Sequence, residues 1–170
     1  MRRALLHAAL LIASITPAVG GNAAAYDANG VALGAAESDI KKRFPSAHCK
    51  ALEWQSKAAD RRCDDAKISF YGVEGRITFY LRKDAIQAFD VRFQTKDLER
   101  VVAQLKERYG APASEVKDPI GAKGTPVREL YKVLWESGKD HALLTAQLDK
   151  RIASLVVSRG DFDDEIYRVR

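Results

Sequence analysis

Apolar and polar residues recur along the chain with one of two periods, and the switch between them separates helices from strands. Leu98, Val101, Val102, Leu105 and Tyr109 fall at i, i+3, i+4, i+7 and i+11, the spacing of one helical stripe. This predicts a long helix over 95–109, capped by Thr95, with Asp97 in its first turn and Gly110 and Pro112 ending it. A short helix is expected over 35–44. Ile40 and Phe44 lie one turn apart there, acids Glu37 and Asp39 precede bases Lys41, Lys42 and Arg43, and Pro45 stops the helix.

Elsewhere the period is two. The stretch 67–71 puts Ile68 and Phe70 on one face, and 72–75 reads as a turn. The stretch 76–82 separates Ile77, Phe79 and Leu81 from Arg76, Thr78, Tyr80 and Arg82, and 86–94 groups Phe89, Val91 and Phe93. A two-residue turn at Lys83-Asp84 would mix the faces of these two strands. A three-residue turn at Lys83-Asp84-Ala85 sets Phe79 opposite Phe89 and Ile77 opposite Val91, so the longer turn is expected. A second meander follows over 129–137, 142–147 and 152–158. Two-residue turns at Gly138-Lys139 and Asp149-Lys150 align Trp135 with Ala142 and Val157, Val133 with Leu144 and Leu155, and Tyr131 with Ala146 and Ala153. A short strand is expected within 49–54, and extended or irregular chain over 26–33. The stretch 113–126, with Pro119, Gly121, Gly124 and Pro126, reads as a long loop and as the one internal seam. The tail 161–170 is acidic first and basic last and has no pattern that assigns an element.

This order predicts an α+β fold in which antiparallel β-meanders pack against one long and one short helix, with 26–170 as a single domain. The preceding residues 1–25 have the layout of a secretory signal peptide. Arg2 and Arg3 come first, then an apolar core from Ala4 to Ile15, Pro17, and Ala23-Ala24-Ala25 before Tyr26. No cysteine stands at the cut, so neither a lipid anchor nor a membrane span is expected, and a periplasmic or secreted location follows. Of the 170 residues 46% are apolar and 30% charged, enough for a core. Removing 1–25 takes away Arg2 and Arg3 and no acid, so the formal charge of +5 falls to +3. That small excess and the expected export argue against nucleic acid as a partner.

Cys49 and Cys63 are the only cysteines, and an oxidising compartment makes a disulfide between them the leading expectation. A metal site of His48, Cys49, Cys63 and Asp64 has suitable ligand types but matches no common spacing. The acidic group Asp161, Asp163, Asp164 and Glu165 lacks the calcium-loop pattern. No phosphate loop, HExxH or GxSxG motif occurs, and no cofactor is expected.

Two surface features remain. The register places Arg76 opposite Arg92 and Thr78 opposite Asp90, with Tyr80 on the same face. Like charges in direct opposition are unfavourable unless a carboxylate or an external anion intervenes, so Arg76, Tyr80 and Arg92 form a candidate partner-binding face. Asp90 is the internal candidate for that carboxylate. Leu134, Leu143 and Val156 also align, on the face opposite Trp135, and form either an exposed apolar strip or a second core. Catalytically, Glu136, His141 and Ser158 fall in one cross-strand row, which reads as a solvated polar row or as a hydrolase relay.

Gly30-Val31-Ala32-Leu33-Gly34, then a helix ending at Phe44-Pro45, then a strand-rich stretch closed by Leu105 to Pro112 (LKERYGAP), resembles the SmpA/OmlA outer-membrane assembly group over about 34–112. More broadly the chain resembles secreted proteobacterial proteins of unassigned role. The resemblance implies a β-lactamase-inhibitor-like fold, with a short helix packed on a small antiparallel sheet, and an accessory part in envelope assembly. The chain departs from the group in lacking the lipoprotein cysteine, and no functional residue is carried over. The function expected is a non-catalytic secreted or periplasmic interaction module whose partner is an envelope protein or an acidic ligand. The alternatives are a small hydrolase built on His141, Ser158 and Glu136, or an inhibitor of a secreted enzyme.

Overall fold

The computed structural model describes residues 26–121 and 128–169, so the proposed signal segment 1–25 and the middle of the 113–126 stretch lie outside the described residues. A small hairpin comes first, β1 (Asp27–Ala28) and β2 (Val31–Ala32). Asn29 and Gly30 turn it, both at positive φ, the pairing that two-residue hairpins favour. The short helix is α1 (Glu37–Arg43), with Ile40 wholly buried. Four strands follow: β3 (His48–Ala51), β4 (Arg61–Phe70), β5 (Val73–Arg82) and β6 (Ala85–Gln94). Next come a 3-10 turn (Thr95–Asp97), α2 (Leu98–Tyr109), and four more strands: β7 (Ser114–Ile120), β8 (Arg128–Ser137), β9 (Asp140–Gln147) and β10 (Ile152–Arg159). A single-turn helix, α3 (Phe162–Glu165), comes last.

All eight longer strands form one antiparallel sheet in the order β3-β4-β5-β6-β10-β9-β8-β7. A helix followed by a four-stranded meander thus occurs twice, and the two meanders meet through their last strands, β6 and β10. The α+β fold of antiparallel meanders with one long and one short helix is the fold observed. One sheet face holds the core. Leu98, Val101, Val102 and Leu105 of α2 join one buried cluster with Ile77, Phe79, Phe89, Val91, Leu144, Leu155, Val133 and Trp135. Burial at this level contributes about 1.5–3 kcal/mol per large apolar side chain. The Trp135 indole N–H donates to the Gly110 carbonyl at 3.0 Å, so its polar edge is satisfied within the core.

The second meander has the expected register throughout, Trp135 with Ala142, Val133 with Leu144, and Leu144 with Leu155. Four expectations need correction. The stretch 113–126 is not simply a loop, because Ser114–Ile120 pairs along its whole length with β8. An edge strand uses one side of its backbone and tolerates Pro119, and nearly all its side chains are exposed, so it lacks a strand's hydrophobic alternation. The hairpin between β5 and β6 has the anticipated pairs Phe79–Phe89 and Ile77–Val91 but not the three-residue turn. Lys83 and Asp84, both at positive φ, make a two-residue turn, and a bulge between Tyr80 and Leu81 absorbs the extra residue. The turn expected at 72–75 lies at Tyr71-Gly72, and Gly75 is inside β5. A Cβ at Gly75 would stand 2.8 Å from the Arg92 carbonyl oxygen, so the strands approach there as only glycine permits. Thr95 does not cap α2; its hydroxyl is buried without a partner in the 3-10 turn that precedes the helix.

Candidate functional site

With both longer helices on the core face, the other sheet face is open over most of its width. Strand pairing sorts its side chains into rows. The first row is Lys50, Arg62, Tyr80, Ala88, Ser158, His141 and Glu136. The second is His48, Asp64, Thr78, Asp90, Val156, Leu143 and Leu134. The third is Arg76, Arg92, Ser154, Thr145 and Lys132.

Much of the first row is covered. Ala88 and Tyr80 lie beneath Phe162 and Ile166 of the C-terminal segment and Ala59 of the loop before β4, in a second, smaller apolar cluster. The Trp54 indole donates to the Ile166 carbonyl at 3.0 Å, and the Ser56 hydroxyl to the Glu165 carbonyl at 3.0 Å, which ties the tail to that loop. Tyr80 stacks at a tilt on Phe162 at 5.4 Å, and burial pushes its phenol above the ordinary tyrosine range. Tyr80 is therefore half-buried at the edge of the open face. The tail, which the sequence pattern left unassigned, forms a wall along one side of the face.

Arg76 and Arg92 sit directly opposite each other, as the sequence register requires. Asp90 does not bridge them. Its carboxylate accepts the Arg92 Nε at 2.8 Å and the Ser154 hydroxyl at 2.7 Å. Asp90, by its charge, raises the Arg92 guanidinium above its ordinary value, so this arginine is fully protonated. Arg76 is exposed and has no carboxylate partner among the described residues. Two depressions flank the pair. One, of about 400 Å³, is lined by Arg62, Thr78 and Tyr80 with the acids Asp64, Asp65 and Asp90, and the second, of about 580 Å³, by Gln94, Lys96 and Ile152 with Glu74 and Asp97. Arg76 and Arg92 line both. Arg62 lies within 3.0 Å of Asp64. The arrangement can hold an anion between two guanidinium groups, one of them uncompensated.

Cys49 and Cys63 are bonded, S–S 2.00 Å, and pair directly across β3 and β4. Among the described residues one cluster of metal-type ligands occurs, Glu37 with these two sulfurs, and the disulfide occupies both. His48 and Asp64, the other members of the metal set, face each other in the neighbouring row.

The row Glu136, His141, Ser158 exists in register, but the carboxylate that reaches it is Asp163. The Ser158 hydroxyl lies 2.8 Å from His141 Nε2 and donates to Asp163 Oδ2 at 3.1 Å, and Asp163 also lies 3.4 Å from that same Nε2. A relay needs the acid on the opposite ring nitrogen and an accessible hydroxyl. Here both groups crowd one nitrogen and Ser158 is fully buried. The cluster fastens α3 to the sheet.

Sequence reasoning did not find Ser154, Thr145 or Lys132 as neighbours of the arginine pair. Their alignment depends on the joint between β6 and β10, whose paired residues lie far apart in the chain. No known family model, curated protein or solved structure matches the chain. Among the described residues no helix is long and apolar enough to cross a membrane.

Proposed function

We propose that the protein is a non-catalytic interaction module of the periplasm or the secreted fraction, and that it binds an acidic partner through Arg76, Tyr80 and Arg92. The observation that carries this reading is the Arg76–Arg92 opposition, in which each nearby carboxylate is committed elsewhere, Asp90 to Arg92 and Ser154, Asp64 to Arg62 and Thr78, and Asp65 to Ser46 and the Lys67 N–H, so that Arg76 has no paired acid among the described residues. Direct opposition of like charges costs folding energy that an anionic partner recovers on binding. The location is supported by the Cys49–Cys63 disulfide and by the signal-like layout of residues 1–25. The resemblance to the SmpA/OmlA group supports an accessory role in envelope assembly; an inhibitor of a secreted enzyme would be another instance of such a module. The hydrolase reading draws no support from the crowded His141 Nε2.

The test is capture from envelope extract with the wild-type protein and with R76E/R92E as baits. The wild-type bait, recovered from the envelope, should begin at Tyr26 and show no free thiol until reduced. It should retain a partner at low salt that is released by high salt and absent from the R76E/R92E bait. Equal capture by both baits would remove the arginine face from the account, and a full-length chain with free thiols would remove export.

A further inference from the structure

The apolar strip and the arginine pair, separate features in the sequence, are adjacent rows of one face. Val156, Leu143 and Leu134 stand in line across β10, β9 and β8, each half-buried and none of them part of either apolar cluster. One step along the strands, Arg76, Arg92, Ser154, Thr145 and Lys132 form a line of polar side chains across five strands, the donor line, in which the Ser154 hydroxyl and the Arg92 Nε already donate to Asp90 and the other Arg92 nitrogens, Arg76, Thr145 and Lys132 carry the remaining donors. The Thr145 hydroxyl has no partner among the described residues. Lys132 has only a loose, exposed contact with Asp118 at 3.8 Å. At about 4.8 Å per strand the donor line is about 19 Å long, and the two lines lie about 7 Å apart.

We propose that these two rows form one ledge that receives an acidic, partly apolar segment of another protein, its acids along the donor line and its apolar side chains along Val156, Leu143 and Leu134. The proposal rests on the acidic-partner reading above and adds the partner's second chemistry. A helix about 10 Å across covers both lines, and about 13 residues at 1.5 Å rise match the donor line, with the shorter apolar line beside its β10–β8 half. The wall of the tail stands beside the ledge, and Tyr167, 76% exposed and stacked on Trp54, is carried on it. Tyrosine, tryptophan and arginine around an apolar strip are the residue types that anchor protein interfaces. A polysaccharide would leave the apolar line unused.

The test uses three synthetic helix-forming peptides of about 14 residues. The first carries a Leu stripe beside a Glu stripe, the second has every Leu replaced by Ala, and the third has every Glu replaced by Gln. Phosphatidylglycerol vesicles form a fourth arm. Binding is followed through the backbone amide resonances of the full protein. The Leu/Glu peptide should shift residues of β5, β6, β8, β9 and β10 on the open face. It should bind about tenfold more tightly than either control. Leu143→Ser, or Val156→Thr where the first variant unfolds, should weaken it about tenfold, and R76E/R92E should abolish binding. Equal binding of the Glu/Ala peptide overturns the ledge and leaves the acidic-partner reading standing. Failure of the Leu/Glu peptide to bind overturns the ledge even where R76E/R92E loses its partner in the extract. Vesicles that shift the same rows overturn it in favour of a membrane.

Discussion

Glu37 opens α1 and is held from two sides. Arg61 Nε donates to it at 2.8 Å from β4, and Lys41 reaches it at 2.8 Å from one turn along the helix. The hydrogen bond from Arg61, then that from Lys41, holds its carboxyl below the ordinary glutamate range. A carboxylate with a depressed folded-state pKa contributes stability above its unfolded pKa and loses it as pH falls through the folded value. Both cations are substantially exposed, so the contribution is small, about 0.5–1 kcal/mol. Glu37→Gln should lower stability by about that amount at neutral pH, and the gap to wild type should close on acidification below the ordinary glutamate range. Urea melts at neutral and acidic pH check this, and a gap that persists in acid would assign the loss to packing. At this scale the helix-end charges were readable, because a helix places its first and last turns by local spacing alone. The partner Arg61 was not, since it reaches Glu37 only through the sheet. Asp163 beside His141 was hidden for the same reason: Phe162 must dock on Tyr80 before that carboxylate arrives.

Among the elements, the β3–β4 pair is short at its outer strand, four residues against ten, and β3 lies at the sheet edge. The Cys49–Cys63 bond closes a loop of sequence separation 14 across that pair. Such a closure stabilises by about 3 kcal/mol through the unfolded chain. C49S/C63S, or reduction of the wild type, should lower the unfolding free energy by about 2–4 kcal/mol, with protection from amide exchange lost first in β3. A loss spread evenly over all eight strands would argue against a local clamp. The elements that the pattern identified best, α1, α2 and the strands β4, β5, β6, β8, β9 and β10, each bury one clear face. The edge strand β7, which it missed, has nearly every side chain exposed, and its existence depends on β8 offering an unpaired edge. The β5–β6 register was readable because Phe79, Phe89, Ile77 and Val91 must share a face. The bulge that reconciles it with a two-residue turn was not, because backbone twist selects the turn and the side-chain pattern does not record it.

At the scale of the molecule, the two helix–meander halves share one sheet and one core. Residues of both, Phe79 and Phe89 with Leu144, Leu155 and Trp135, belong to a single buried cluster. Denaturant unfolding should therefore be one transition. Trp135 reports the core of the second half, and Trp54 reports the loop and tail over the open face. Fluorescence of the W54F and W135F variants, each with one tryptophan left, should give coincident midpoints. Separate midpoints would show that the joint between β6 and β10 does not couple the halves.

Residue spacing alone was enough for the fold class, both longer helices, the inward faces of six strands and the opposition of Arg76 to Arg92, and the presence of just two cysteines was enough for the disulfide pair. Apart from the disulfide, these are set by local period or by pairing across short connections, where a slip of one residue would turn a buried face to water. Only the folded chain shows the joining of the meanders through β6 and β10, the place of Ser114–Ile120 as an edge strand, the cover that the tail lays over Tyr80 and Ala88, and the union of the apolar strip with the arginine row. These depend on contacts between segments distant in the chain, whose side chains are polar or half-exposed. Such side chains stay compatible with several partners until the core has fixed where each strand lies.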